Sequence, residues 1–266
     1  MTQDAHKLLL DIGNTCTKIS YWSPESRTVF SQVETLPTIA DSAENWADRL
    51  VHTAEKWQLA PADFSDILGC SVVPDLIPLI NSASELAFGR SACFAPDTLP
   101  VPFDNISEIP DNVGPDRLVA AYGARHLLDA ENIIICDFGT ATTLDAVSGN
   151  RFLGGVICPG MRTSARALSS DTARLPELSL NLESPDFFFG YKTEDSLNQG
   201  FIFGFAALAE GLIERFEKEL GTRAAVVATG GLAKRVADVC PKLRSIHATL
   251  TLEGLVFAQM TASRQS

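Results

Sequence analysis

Leu8-Leu9-Leu10-Asp11-Ile12-Gly13-Asn14-Thr15-Cys16-Thr17-Lys18 is the stretch on which the fold turns, because its pattern returns as Ile135-Cys136-Asp137-Phe138-Gly139-Thr140-Ala141-Thr142-Thr143. In each copy an apolar strand ends on Asp, passes one residue and a Gly, and enters a second strand through a Thr-rich turn. An offset of 126 residues pairs Asp11 with Asp137, Gly13 with Gly139 and Thr17 with Thr143 in a chain of 266. Repetition at about half the chain length argues for a duplicated domain rather than an array of short repeats.

The flanking segments carry the same order. Strands are expected at 8–12, 17–21 and 28–33, then a helix over 42–58, a strand at 67–71, a helix from Pro74 and a strand at 92–94. A stretch rich in Pro, Asp and Asn over 95–114 interrupts the pattern before a helix opens at Pro115. Domains are therefore expected at 1–114 and 115–266. The second half restarts with strands at 133–137, 142–147 and 152–158, followed by a helix over 196–220, a strand at 224–229, a helix at 231–239 and a last helix from about 251. Two such α/β halves facing each other leave an interdomain cleft.

Composition narrows the function. Hydrophobic residues make up 45% and charged residues 20%, with no low-complexity block, which excludes a disordered chain. With 21 Lys and Arg against 33 Asp and Glu, the net charge of −12 repels phosphate backbones and anionic lipid, so neither nucleic acid nor a membrane surface is an expected partner. The first residues turn charged too soon for a secretory signal, and the charge-poor stretch over 200–209 is shorter than the ~20 residues of a membrane span, so a cytoplasmic protein is expected. Cys16, Cys70, Cys93, Cys136, Cys158 and Cys240 form no C-x-x-C pair and read as reduced core residues. The four His have no zinc spacing.

Three places offer chemistry. The turn from Asp11 to Lys18 points backbone N–H groups and Thr hydroxyls where phosphate oxygens are good acceptors, with Lys18 adding charge and Asp11 able to hold a phosphate-bridging Mg²⁺; an ordinary hairpin with Gly13 at its bend explains it equally. The turn from Asp137 to Thr143 has more hydroxyls and no Lys, and its carboxylate beside Thr oxygens suits a cation or a plain strand end. Gly114-Pro115-Asp116-Arg117 is standard helix-start chemistry except for Arg117, whose charge is unfavourable there; side by side, Asp116 can accept a hydroxyl proton and Arg117 can clamp an acidic substrate. Glycines in 154–160 and 229–231 suit close approach to a ligand or tight packing. Thr193 suits a helix cap or an acceptor-site contact. No G-x-G-x-x-G or G-x-x-x-x-G-K-[ST] pattern is present.

In this order, D-x-G-N-T-x-x-K (11–18), G-x-D-R (114–117), D-x-G-T-A-T-T (137–143), G-G-x-I-x-P-G (154–160) and T-G-G (229–231) resemble the type III pantothenate kinases, members of the actin, hexokinase and heat-shock ATPase superfamily. The resemblance implies two duplicated ribonuclease H-like domains of the actin-like ATPase fold, a homodimer, and transfer of the ATP γ-phosphoryl to pantothenate. It implies that Asp11, Ile12, Gly13, Asn14, Thr15, Cys16, Thr17, Lys18 and Thr140 bind ATP with Mg²⁺, and that Asp116 is the base. Gly114, Pro115, Arg117 and Thr193 would meet pantothenate, and Asp137 would hold a monovalent cation, K⁺ or NH₄⁺. The family's substrate-contacting Tyr before G-x-D-R has no counterpart in 103–110, where Phe103 is expected to fill the space. A related sugar or acetate kinase, or a nucleotide-binding regulator of the same fold, would share the hairpins.

Overall fold

A computed structural model describes residues 5–29, 32–110, 112–170, 178–182 and 184–265. The chain divides into two compact units, residues 1–126 with 249–266, and residues 127–248.

In the first unit β1 (His6–Ile12) pairs antiparallel with β2 (Cys16–Ser23), which also carries the short β3 (Thr28–Val29) and β4 (Glu34–Pro37). The third expected strand is thus two short ones, with residues 30 and 31 outside the described residues. Helix α1 (Ala43–Lys56) crosses to β5 (Phe64–Ser71), parallel to β1, and α2 (Ile77–Phe88) crosses to β6 (Cys93–Ala95), parallel to β5. Ser42 caps α1 by accepting the Asn45 N–H at 3.1 Å, and the stripe Trp46, Leu50, Thr53 and Ala54 turns inward at helical spacing. Leu8, Leu10 and Ile12 pack with this stripe. Strand alternation sends Leu9 and Asp11 to the opposite face, where Leu9 is also fully buried. A strand covered on both sides reads as a continuous apolar run, which is why the Leu triplet stands out.

The second unit repeats the plan. β7 (Asn132–Phe138), β8 (Ala141–Ser148) and β9 (Arg151–Pro159) form an antiparallel meander. After α4 (Met161–Ser170) and α5 (Thr193–Leu220), β10 (Ala225–Thr229) joins β7 in parallel, and α6 (Ala233–Ala237) leads to the parallel edge strand β11 (Ser245–Ile246). The strand orders match: β4-β2-β1-β5-β6 and β9-β8-β7-β10-β11, three antiparallel strands followed by two parallel ones. The protein is therefore α/β with a duplicated actin-like ATPase plan.

Helix α5 is, by length and composition alone, apolar enough to cross a bilayer, with mean hydropathy 1.2 over its best window, where a shorter apolar stretch was expected. Here it packs on its unit's sheet through Ile202, Ala206, Ala209 and Ile213, one per turn on a single face. Each buried Ile contributes about 1.5–3 kcal/mol.

The division of the chain differs from the expected 114/115 boundary. Helix α3 (Pro115–Leu127) and the last helix α7 (Leu250–Gln265) both belong to the first unit, apart from Leu127. Glycines bring the two helices together: a β-carbon on Gly123 would lie 3.1 Å from the Gly254 nitrogen, and one on Gly254 would collide with the Val119 carbonyl. Tyr122 also donates to Thr261 at 3.1 Å, and α7 packs on β1 and β5.

Candidate active site

The carboxylate of Asp11 ends β1 in a row that runs straight across the first sheet. Register pairs it with Lys18 on β2 and with Cys70 on β5, so all three side chains leave the same face. Lys18 Nζ donates to Oδ2 at 3.2 Å, and the Cys70 thiol donates to Oδ1 at 3.8 Å. The Asp11 side chain retains only 13% exposure, and Cys70 none. Beyond the row lies the β1–β2 turn, closed by the Gly13 N–H donating to the Cys16 carbonyl at 3.1 Å, with Asn14 and Thr15 exposed at its tip. Thr17 is buried and shares a 2.9 Å hydrogen bond with the Thr38 hydroxyl, while the Thr38 N–H donates to the Thr15 carbonyl at 3.1 Å. The turn is thus held in place by contacts outside it as well as by its own closing bond.

Asp116 enters the same neighbourhood from the start of α3. Gly114 accepts the opening helical hydrogen bonds from Arg117 and Leu118, and Pro115 fills the first helical position, where no N–H is needed. The Asp116 carboxylate folds back so that Oδ1 accepts the Arg117 N–H at 2.8 Å. A β-carbon on residue 114 would approach that oxygen to 2.6 Å, so the small residue makes room for the carboxylate. Burial, and then the negative charges of Asp11 and Asp116, push the Cys70 thiol well above its ordinary pKa. Both carboxylates thus act on one buried group, although 105 positions separate them in the chain.

The second unit builds a matching row: Thr229 on β10, Asp137 on β7 and Thr143 on β8 are register partners. Thr143 stands where Lys18 stands in the first unit, because the β7–β8 turn is one residue shorter; simple offset alignment instead paired it with Thr17. Gly230, at φ +93°, lies against Asp137 so closely that any β-carbon would collide with Oδ1. Gly160 sits on the turn itself, with its would-be β-carbon 2.7 Å from the Gly139 carbonyl. The Thr163 hydroxyl donates to the Thr140 carbonyl at 2.7 Å, leaving the Thr140 side chain exposed. Gly160 and Gly230 therefore close around one carboxylate and its turn, whereas Gly155 packs against Leu144 and Asp145 of β8. A carboxylate with two Thr hydroxyls in its row is an all-oxygen donor set, suited to a hard cation.

A family model for type III pantothenate kinases matches residues 7–215. The type III pantothenate kinase of Nitratidesulfovibrio vulgaris (strain DSM 19637 / Miyazaki F) is 45% identical over 257 residues, covering 96% of each chain. The chain belongs to the type III pantothenate kinase family. A family member from Thermus thermophilus is 37% identical over 94% of this chain and 96% of its own. Among solved structures, a ROK hexokinase from Thermus thermophilus superposes with a TM-score of 0.53 at 15% identity, over 97% of this chain and 99% of its own, which shows the fold.

Within this pantothenate kinase framework, the five motif blocks fall at strand ends and helix starts. Asp11, Lys18 and Asp116 come together in the first unit; Asp137 and Thr140 lie on one turn of the second. Thr193 is exposed as the first residue of α5, and Lys192 rather than Thr193 stands at the cap position. Phe103 is 3% exposed and meets Tyr122 edge-on at 5.4 Å between ring centroids, which places it against the body of α3. Of the cysteines, Cys93 is exposed on the edge strand rather than in the core. Cys70 was legible only as an apolar-run residue, and its place beside Asp11 comes from the pairing of β1 with β5.

Proposed function

We propose that the protein transfers the γ-phosphoryl group of ATP to the primary hydroxyl of pantothenate, giving 4′-phosphopantothenate, the first step of coenzyme A biosynthesis. Family membership supports the reaction class. The observation that supports the assignment to residues is the geometry of the two strand-end and helix-start carboxylates: Asp11, held by Lys18 at 3.2 Å beside the closed β1–β2 turn, and Asp116, fixed by the Arg117 N–H at the start of α3, supply the phosphate-side carboxylate and the proton acceptor that phosphoryl transfer uses.

In this reading the β1–β2 turn, residues 11–18, holds the phosphates through its N–H groups, with Lys18 countering their charge, and Thr140 is a further ATP-binding residue. Asp116 orients the pantothenate hydroxyl and takes its proton, Arg117 meets the carboxylate of pantothenate, and Gly114, Pro115 and Thr193 line the acceptor. Catalysis then rests on positioning and charge neutralisation more than on a strong base. Among the described residues, no three His, Cys, Asp or Glu side chains gather to hold a metal by themselves. Asp11 would supply one ligand to a divalent ion arriving with ATP, with phosphate and water oxygens as the others. Mg²⁺ held there would offset triphosphate charge, and Asp137 would hold a monovalent cation, K⁺ or NH₄⁺, that adds to it.

The protein acts as a cytoplasmic homodimer, without nucleic acid or membrane. The exposed aromatics Phe187, Phe188, Phe189 and Tyr191, with Gly200, Phe201 and Gly204 along α5, favour a second copy as the cover. The test is ATP consumption with and without pantothenate, in K⁺ and in Na⁺. Pantothenate-dependent turnover that needs K⁺ is expected; turnover with other alcohols but not pantothenate overturns the assignment.

A further inference from the structure

The Asp11 carboxylate is held from both sides along its row. Lys18 reaches Oδ2 from the antiparallel neighbour strand and Cys70 reaches Oδ1 from the parallel one. A carboxylate is an acceptor only, so the direction of the second bond is set: the thiol donates. Cys70 lies 59 positions from Asp11 in sequence, is fully buried, and has no nucleophilic part in phosphoryl transfer. In the second unit the same register position beside Asp137 carries Thr229, another small donor side chain and 2% exposed. The duplicated fold thus places a compact S–H or O–H group beside each strand-end carboxylate, on the side away from the antiparallel partner.

We propose that Cys70 is a positioning residue for the nucleotide site: its thiol fixes the rotamer of Asp11, so that the carboxylate meets the phosphate-bound divalent ion without first having to be ordered. The inference rests on the proposed ATP role of the β1–β2 turn. A side chain of similar size lacking the donor leaves Asp11 restrained by Lys18 alone, and Lys18 is itself partly exposed and drawn toward the phosphates. Rotational freedom returned to Asp11 is then lost on binding, which weakens affinity without altering the acceptor site.

Two substitutions separate this role from simple packing. Cys70→Val keeps apolar volume and removes the donor; Cys70→Ser keeps the donor and puts a polar atom in a buried place. MgATP affinity of the full-length protein, measured by calorimetry without pantothenate, is expected to fall about three- to tenfold in Cys70→Val and to stay within about twofold of wild type in Cys70→Ser. A packing role predicts the reverse order, and equal affinities in both variants also overturn the proposal. Wild type that binds MgATP but does not phosphorylate pantothenate sinks the functional assignment while leaving this comparison decisive; wild type that binds no nucleotide sinks both. Should Cys70→Val not fold, the infrared S–H band of Cys70, identified by its loss in Cys70→Ser, gives a second readout. Asp11→Ala is expected to shift that band to higher frequency, and an unmoved band overturns the proposal.

Discussion

Oδ1 of Asp116 accepts the backbone N–H of Arg117 at 2.8 Å, so the proposed base is fastened to the first turn of its own helix. Asparagine retains an acceptor oxygen there but cannot take a proton. Asp116→Asn is therefore expected to lower kcat by ~10²–10⁴ while leaving MgATP affinity and the melting temperature near wild type. Steady-state kinetics together with nucleotide calorimetry check this, and near-normal turnover in the variant would remove Asp116 from the role of base.

The central strands and turns were legible because their cause is local. A run such as Leu8–Leu10 ending in Asp-x-Gly needs no partner to be read, and its second copy gives the duplication. Features made by long-range docking were not legible. Helix α7 returns to the first unit because Gly123 and Gly254 let two helices approach, a fact of shape that neither glycine announces in sequence. Helix α4 buries only Met161 and Ala165, too little for a visible stripe. Within the site, each carboxylate could be picked from its motif, but Cys70 could not. Its contact depends on which residue of β5 lies opposite Asp11, and a shift of one position would turn the thiol to the other face.

Asp137 and Gly230 should be coupled in their effect on cation response. Asp137→Ala is expected to equalise rates in K⁺ and Na⁺ and to raise the KM for ATP. Gly230→Ala must relieve both an unfavourable backbone at φ +93° and a collision with the Asp137 carboxylate. Strain of about 1–3 kcal/mol is expected, seen as a melting temperature lower by roughly 3–8 °C. If Asp137 is the cation ligand, the K⁺ to Na⁺ rate ratio of Gly230→Ala falls as well, and a full ratio in both variants would count against it.

The face of α5 around Gly204 gives a clean test of the proposed dimer. A β-carbon at Gly204 meets nothing within 4 Å, so a side chain can be added there without disturbing the subunit. Glutamate is also the better helix former by about 0.5–1 kcal/mol. Gly204→Glu is therefore expected to keep or raise the melting temperature of the subunit while converting dimer to monomer in sedimentation velocity. A variant that still sediments as wild type places the interface elsewhere.

Asp66 supplies a pH-dependent share of stability far from the catalytic chemistry. Burial alone would raise its carboxyl pKa, but hydrogen bonds from Lys7 and Ser65, both 2.7 Å, and the Lys7 charge outweigh that and hold it below the ordinary carboxylate value. Lys7 and Asp66 are register partners, so the pair ties β1 to β5. For an acid whose native pKa is depressed, the stabilisation is fully present above the unfolded value, about 3.9, and is lost as pH falls through the native value. Asp66→Asn is expected to cost about 1 kcal/mol at pH 7, the modest figure that suits a side chain 34% exposed. The gap between wild type and variant should narrow below about pH 4 and close once pH has fallen below the native value. Urea unfolding midpoints at pH 7, 5 and 3 read this directly. A gap that stays constant with pH would mean that Asp66 contributes through packing rather than through its charge.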